Sequence, residues 1–589
     1  MTRLAIVVKE RCNPIGCGNY LCARMCPVNR QGEGCITKSP NNKAVITEGL
    51  CTGCGICPNI CPFDAIRIIN LPEELTKQPV HRYGENEFVL YSTPTPLFGN
   101  VTGIIGVNGI GKSTAIKILA GVLKPNFGEF NERIKDDGTY FSRLIAYFKG
   151  TEAQGFFEKV KSGAVKTEYK PQQVELIPRT AKGKVIDLLG KVDERKMLGS
   201  VVDSLQIRNI LDNEIEEISG GELQRVAIAA TMLKSANIYI FDEPTSYLDI
   251  KQRINTSRLI KSLSGQKSSV LLIEHDLVIL DHMTEFVHIM YGREACYGIV
   301  SAVKPTRNGI NSYLQGYLRE ENIRFRESQI KFTERPPVKK SLKDAIVWWD
   351  GIEKKLGKFS LKAKSGSVNK GDIIGVLGEN GIGKTAFVKI LANAIKADNG
   401  KIEGKVRVSY KPQYIESSDK TVGEVLKTAF EKYESQIINP LFIKPLVLKR
   451  LNEISGGELQ RVAIADCLQK EADLYLLDEP SAYLDSEQRL IASKVIRDFI
   501  EHKGASALIV DHDLLFIDYI SQRLMIFTGI PAISGDVEGP FDMEVGMNKF
   551  LKELGITLRR DKESNRPRIN KLDSRLDREQ KESGKYYYA

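Results

Sequence analysis

No stretch of this chain approaches the roughly 18 uninterrupted apolar residues that a membrane span needs. The short apolar run near the start is cut by Lys9, Glu10 and Arg11 before a signal-peptide core could form. Cysteine is scarce beyond residue 61: nine of the eleven lie between Cys12 and Cys61, and Cys296 and Cys467 read as isolated buried hydrophobes. These absences exclude a secreted disulfide scaffold and favour a soluble, cytoplasmic chain whose cysteine block ligates metal. The hydrophobic and charged fractions, 42% and 27%, are those of an ordinary globular protein, and 589 residues predict three or four domains.

The net charge of +10 is moderate, and its placement says more than its size. Residues 331–370 hold eleven Lys or Arg against four acids, and residues 556–585 hold ten against six. A solvated face is one reading of such runs; an anionic partner such as RNA is the other.

One set of phosphate-handling motifs occurs twice in the same order. Gly106-Val-Asn108-Gly109-Ile-Gly111-Lys112-Ser113-Thr114 and Gly378-Glu-Asn380-Gly381-Ile-Gly383-Lys384-Thr385 both fit the P-loop pattern. Ser219-Gly220-Gly221-Glu222 and Ser455-Gly456-Gly457-Glu458 follow, then Asp242-Glu243 and Asp478-Glu479, then His275 and His512. Glycines let backbone N–H groups converge on phosphate oxygens at a helix N-terminus already favourable to anions. Lys112 and Lys384 are placed to bridge phosphates, and Ser113 and Thr385, with Asp242 and Asp478, to hold Mg²⁺. Glu243 and Glu479 are placed to polarise an attacking water, and His275 and His512, each ending an apolar run, to meet the γ-phosphate. Phe88 and Phe359 precede the two P-loops by 18 and 19 residues, which nominates them, with Tyr83, to stack on adenine; a packed core aromatic is the competing reading.

The P-loops are 272 residues apart, whereas the Ser-Gly-Gly and Asp-Glu motifs are each 236 apart, so the first half carries 36 extra residues. A further marker, Tyr169-Lys170-Pro171-Gln172 against Tyr410-Lys411-Pro412-Gln413, is offset by 241 and confines most of the excess to about 131–165. Helical spacing of Leu144, Phe148, Phe156, Phe157 and Val160 predicts a helix–loop–helix there, and an exposed element added to one unit reads as a contact.

Cys51, Cys54, Cys57 and Cys61-Pro62 have the spacing of a bacterial-type [4Fe–4S] run, while Cys12, Cys17, Cys22 and Cys26-Pro27 stretch the earlier gaps. Because the fourth cysteine of each such run serves the other cluster, Cys12, Cys17, Cys22 and Cys61 are assigned to one cluster and Cys26, Cys51, Cys54 and Cys57 to the second. Cys35 is the spare, with the option of replacing Cys12, Cys17 or Cys22. Paired zinc sites are the alternative.

These motifs resemble the ATP-binding cassette family over roughly 450 residues and, with the cysteine block, its subfamily E, the RNase L inhibitor family. Asn108-Gly-Ile-Gly-Lys-Ser, Pro480-Ser-Ala-Tyr-Leu-Asp-Ser-Glu-Gln-Arg489 and Arg566-Pro-Arg-Ile-Asn-Lys571 carry the closer likeness. The resemblance implies an α/β fold: two P-loop cassettes in tandem behind a ferredoxin-like iron–sulfur domain. Its divisions are a cluster domain at 1–75, a first cassette at 76–300, a hinge at 301–335, a second cassette at 336–545, and a second hinge with basic tail at 546–589. It implies a monomer whose cassettes face head to tail about a pseudo-twofold axis, each ATP closed by the Ser-Gly-Gly motif of the opposite unit. Gln172 and Gln413 match Q-loops that reach Mg²⁺. One departure is Glu222 and Glu458, where a Gln is usual. The implied function is ribosome recycling: ATP-driven separation of subunits with a release factor or Pelota bound, then persistence on the small subunit. A transporter ATPase and an ATP-gated electron donor are the competing functions.

Overall fold

A computed structural model describes residues 3–9, 11–70, 78–130, 139–327, 329–330, 332, 345–392, 394–404, 406–413 and 418–588. Most of the expected linker Asn70–Gln78, the opening of the insertion at 131–138 and the basic stretch 333–344 lie outside the described residues. Packing divides the chain into two units. One comprises Met1–Pro244, Arg258–His275 and Met283–Ser328; the other comprises Thr245–Ser257, Asp276–His282 and Gln329–Ala589.

The first unit is built on parallel strands in the order Phe286–Arg293, Val101–Ile105, Ser269–Ile273, Ile238–Asp242 and Thr167–Lys170. The three central strands are buried at every residue, which is why they read as continuous apolar runs rather than as alternating patterns. Antiparallel pairing of Tyr297–Val300 and a small hairpin, His81–Arg82 with Val89–Leu90, extend one edge. The second unit repeats the plan with Arg523–Ile530, Ile373–Leu377, Ser506–Val510, Leu474–Asp478 and Val408–Lys411. Parallel strands share a carboxyl edge, so each sheet delivers its P-loop, Asp-Glu pair, His and Gln to one side.

Two helices, Thr139–Tyr147 and Glu152–Lys161, occupy the inserted segment. One face of the pair packs inward and the opposite face, with Ser142, Arg143, Glu158 and Lys159, is exposed. Leu144, Phe148, Phe156 and Phe157 are buried in the first unit's core, and Tyr147 donates its hydroxyl to the Tyr91 carbonyl at 2.8 Å. The N-terminal block pairs strand Arg3–Val7 with Ile66–Asn70 and encloses the cysteines between short helices, Leu21–Met25 and Ile56–Ile60. No helix among the described residues is long and apolar enough to cross a membrane.

Within the second unit, Asp281 joins the chain's C-terminal part to an earlier segment. Its carboxylate accepts from Arg566 Nη1 at 3.2 Å and from Arg568 Nε and Nη2 at 2.6 and 3.1 Å. Arg566 and Asp281 side chains are only 1% and 3% exposed. Burial pushes the Asp281 carboxyl up, but Arg566 and Arg568 together hold it below the usual carboxylate range. Asp281→Asn leaves Arg566 buried without its counter-charge and is expected to cost about 3–5 kcal/mol, read as a lower thermal midpoint. Since the folded pKa is depressed, the pair's contribution is present above about pH 4 and is lost as pH falls through the lower folded value.

Candidate nucleotide and iron–sulfur sites

Each P-loop turns from strand into helix at a left-handed glycine. Gly111 and Gly383 both have φ of 92° and cap helices Lys112–Leu119 and Lys384–Leu391. A Cβ at Gly111 would lie 2.3 Å from the Phe88 ring, and one at Gly383 2.8 Å from Phe359, so a side chain fits neither. Both aromatics therefore rest on P-loop backbone. Phe88 and Tyr83 also line a cleft of about 710 Å³ with Asn108, Gly109, Lys112, Ser113, Thr114, Gln172 and Glu243. Tyr83 Oη lies 3.1 Å from Thr114 Oγ1.

The P-loop lysines are buried and folded onto their own loops. Lys112 Nζ donates to the carbonyls of Gly106 and Val107 at 2.7 and 2.9 Å, and Lys384 Nζ to those of Gly378 and Glu379 at 2.9 and 2.7 Å. Burial lowers the Lys384 pKa to about 8 even though Asp249, Glu479 and Asp478 oppose it. Thr385 Oγ1 donates to Asp478 Oδ2 at 2.7 Å, and Ser113 likewise bonds to Asp242. Burial, with Glu243 alongside, raises the Asp242 pKa, and burial raises that of Asp478. Asp242 Oδ1 is buried without a hydrogen-bond partner. A hydroxyl, an acid destabilised by burial and an orphaned carboxylate oxygen together fit a divalent cation bound with the triphosphate.

Glu243 and Glu479 sit at left-handed bends, both with φ of 47°. Gln172 Nε2 donates to Glu243 Oε1 at 2.7 Å, and Gln413 Nε2 to Glu479 Oε1 at 2.8 Å. His275 Nε2 is 3.3 Å from Glu243, and His512 Nε2 is 3.6 Å from Glu479. The two glutamates differ electrostatically. Burial pushes Glu243 up, but His275, Lys112 and Gln172 hold it down to about 2. Burial and Asp511 raise Glu479 instead, and His512, buried beside Lys384, is driven well below the ordinary imidazole value. Thus the expected Glu, His and Gln converge in both units.

Ser219 and Ser455 cap helices Gly220–Leu233 and Gly456–Gln469. Glu222 and Glu458 complete capping boxes, accepting from the Ser219 and Ser455 amides at 2.9 Å each. The departure from Gln at these positions is therefore accommodated by helix capping. Ser219, Gly220, Ser455 and Gly456 are exposed, with Gly221 and Gly457 just behind them.

Further residues contact these sites without having been given a role from the sequence. Gln224 and Gln460 donate to the Glu243 and Glu479 carbonyls at 2.8 and 2.7 Å. Within the second unit, Asp249 Oδ2 accepts from the Asn380 amide at 3.1 Å, and Lys251 pairs with Glu379 at 2.7 Å. Val7 and Lys9, from the cysteine block, line the first cleft, and Lys9 pairs with Glu87 at 2.7 Å. Further links from that block run from Arg82 to Glu48 and from Asn86 to the Ile46 carbonyl.

The cysteines form two groups. Cys12, Cys17, Cys22 and Cys61 line one apolar cavity with Tyr20 and Phe63. Burial pushes the Cys22 thiol up to about 11, as expected of sulfur donors gathered away from water and lacking a cation. Cys57 neighbours Cys51 and Cys54, and its thiol is pushed up to about 12 by burial. Cys35, the spare, neighbours Cys26 and Cys51, and not the Cys12, Cys17 and Cys22 it had the option of replacing. The reason is the hairpin Ile36–Lys38 with Ala44–Ile46, which ties the Cys35 carbonyl to the Thr47 amide at 2.7 Å, four residues before Cys51. Thiolate-only donor sets in apolar walls fit iron–sulfur clusters.

Two predictions follow from this geometry. Glu243→Gln or Glu479→Gln keeps the shape but removes the carboxylate, so ATP binding is expected to be retained and single-turnover hydrolysis to slow by about 10²-fold or more. Wild-type hydrolysis in the double variant would remove both from catalysis. Anaerobically purified protein carries about eight iron and eight sulfide per chain; Cys57→Ser loses one cluster's worth, whereas Cys35→Ser keeps the full complement.

Comparison with known sequences and structures gives a consistent answer. The ABC transporter family matches residues 98–246 and 361–482, and the 4Fe-4S binding domain family matches 44–67. The chain is 51% identical to an uncharacterized ABC transporter ATP-binding protein of Methanocaldococcus jannaschii, over all of this chain and 98% of that one. It is 44% identical to translation initiation factor RLI1 of Saccharomyces cerevisiae, again over all of this chain and 98% of the relative. A structure described as a model of ribosome-bound archaeal Pelota and ABCE1 superposes with a TM-score of 0.91 at 48% identity, covering 100% and 99% of the two chains. The archaeal recycling factor aABCE1, in complex with stalk protein aP1, superposes at 0.83 with 49% identity, covering 88% of this chain and 100% of that one. Full-length identity, twin cassettes and an iron–sulfur block lead to one conclusion: the chain belongs to the RNase L inhibitor family, subfamily E of the ATP-binding cassette ATPases.

Proposed function

We propose that this ATPase splits ribosomes into subunits after termination or stalling, using ATP binding to close its cassettes and move the cluster domain against a bound release factor or Pelota. The relatives whose descriptions name a ribosome recycling factor and a ribosome-bound Pelota assembly support this reading. Its physical support is the wall of the first cleft. Val7 and Lys9 belong to the cluster domain yet border the nucleotide loop, so a change in cleft shape bears on that domain.

In this reading Lys112 and Lys384 bridge phosphates, and Ser113, Thr385, Asp242 and Asp478, with Gln172 and Gln413, hold Mg²⁺. Glu243 and Glu479 orient water, while His275 and His512 meet the γ-phosphate. The exposed Ser219 and Ser455 motifs each close the ATP bound by the other cassette. Tyr83, Phe88 and Phe359 face adenine. Two clusters held by eight cysteines keep the N-terminal domain stiff enough to transmit force; a domain without them bends instead. Basic residues that stay exposed after the second cassette, Lys562, Lys571, Arg578 and Lys585, contact ribosomal RNA, and the protein stays on the small subunit after splitting.

Light scattering with purified ribosomes and release factor tests the sequence of events. A non-hydrolysable ATP analogue supports one round of splitting, because binding is the working step. Cys54→Ser, which damages the second cluster, retains ATPase activity but loses splitting. A cluster-deficient variant that splits ribosomes as fast as the intact chain contradicts the force-transmitting role.

A further inference from the structure

The Tyr-Lys-Pro-Gln marker recurs in both halves, yet only its glutamine has a place in the mechanism above. The structure gives the other residues contacts. Lys170 is fully buried at the end of strand Thr167–Lys170, and Lys411, 1% exposed, ends strand Val408–Lys411. Each strand lies parallel to the one that ends in the metal-side aspartate. Lys170 Nζ donates to the Asp242 carbonyl at 3.0 Å and reaches the Glu243 carbonyl at 3.4 Å. Lys411 Nζ donates to the Asp478 carbonyl at 2.7 Å and to the Pro412 carbonyl at 3.1 Å, and reaches the Glu479 carbonyl at 3.4 Å.

An apolar side chain would fill a buried strand end at far lower cost than an ammonium taken out of water. The halves differ by an insertion and at many neighbouring positions, yet both place an amine here. What the amine touches is the bend itself: the carbonyls before and after a residue in the sparsely populated left-handed region. The flanking residues grip the same pair. Tyr169 Oη donates to Asp242 Oδ2 at 3.3 Å, and Tyr410 bonds to Asp478. Gln172 and Gln413 hold the two glutamate carboxylates. One four-residue segment thus contacts the metal-side carboxylate, the bend and the catalytic carboxylate.

We propose that Lys170 and Lys411 are positioning residues for ATP hydrolysis: each clamps the bend between metal-side aspartate and catalytic glutamate to the strand that carries the Q-loop glutamine. The inference rests on the catalytic assignment of Glu243 and Glu479. Its consequence is that metal site and water site move together when the Q-loop moves.

The test uses full-length protein with both clusters, comparing wild type with Lys170→Met, Lys411→Met and the double variant. Steady-state ATPase is measured against ATP and against Mg²⁺, with thermal unfolding and cluster absorbance as controls for folding. In the double variant kcat falls about tenfold or more, KM for ATP stays within about twofold, and half-maximal Mg²⁺ rises severalfold. Unchanged kcat overturns the proposal. So does an equal loss in kcat and ATP affinity with a lowered unfolding midpoint, which marks a packing role. Where Met prevents folding, Lys→Gln retains a donor for the carbonyls: partial kcat with unchanged KM supports the clamp, and parallel loss of both contradicts it. If Glu243→Gln/Glu479→Gln hydrolyses ATP normally, the failure lies in the catalytic reading beneath the proposal and not in the clamp.

Discussion

A triphosphate and its metal bind where backbone N–H groups converge at one end of a helix and carboxylates converge a few ångströms away. Parallel strands in fixed register satisfy both demands, because their carboxyl ends are presented side by side. In each unit the P-loop strand lies beside the strand ending at His275 or His512, which lies beside the one ending in Asp-Glu. A slip in any pairing would separate the P-loop lysine from the glutamate that follows the aspartate. The remaining features serve that register: continuous apolar strands to bury the sheet, left-handed glycines to turn the loop, and buried donors to hold the bend after the aspartate.

The duplicate sheets are not electrostatic duplicates. Glu243 is held ionised by His275, Lys112 and Gln172 against the effect of burial, whereas burial and Asp511 raise Glu479. His512 stands between Lys384, at 3.4 Å, and Glu479. The first cleft has a cluster-domain wall through Val7 and Lys9. The second unit includes two segments, Thr245–Ser257 and Asp276–His282, from earlier in the chain. Equivalent motifs therefore sit in different surroundings.

The residues that converge beside each P-loop were legible in the sequence because phosphate chemistry demands particular side chains at fixed spacing, and because the repeat presents each one twice. Partners that act through backbone leave no such trace. Lys170 and Gln224 were visible as letters, but nothing in Asp242-Glu243 announces that its carbonyls are their acceptors. The option of Cys35 replacing Cys12, Cys17 or Cys22 went astray for a related reason: its neighbours are set by a hairpin and not by spacing along the cysteine runs. Helical periodicity located the insertion, yet it could not say that Phe148, Phe156 and Phe157 are buried in the first unit's core. Contacts between Lys9 and Glu87 span 78 positions and belong to tertiary structure alone.

In the proposed function, nucleotide binding is the event that commits the protein to the ribosome. Sedimentation of purified small ribosomal subunits with the full-length protein examines this directly when hydrolysis is blocked. With a non-hydrolysable ATP analogue the protein is expected to travel with the small subunit in near-equal amount, and with ADP to remain at the top of the gradient. Equal binding under both nucleotides, or binding under neither, would contradict the claim that ATP closure drives engagement.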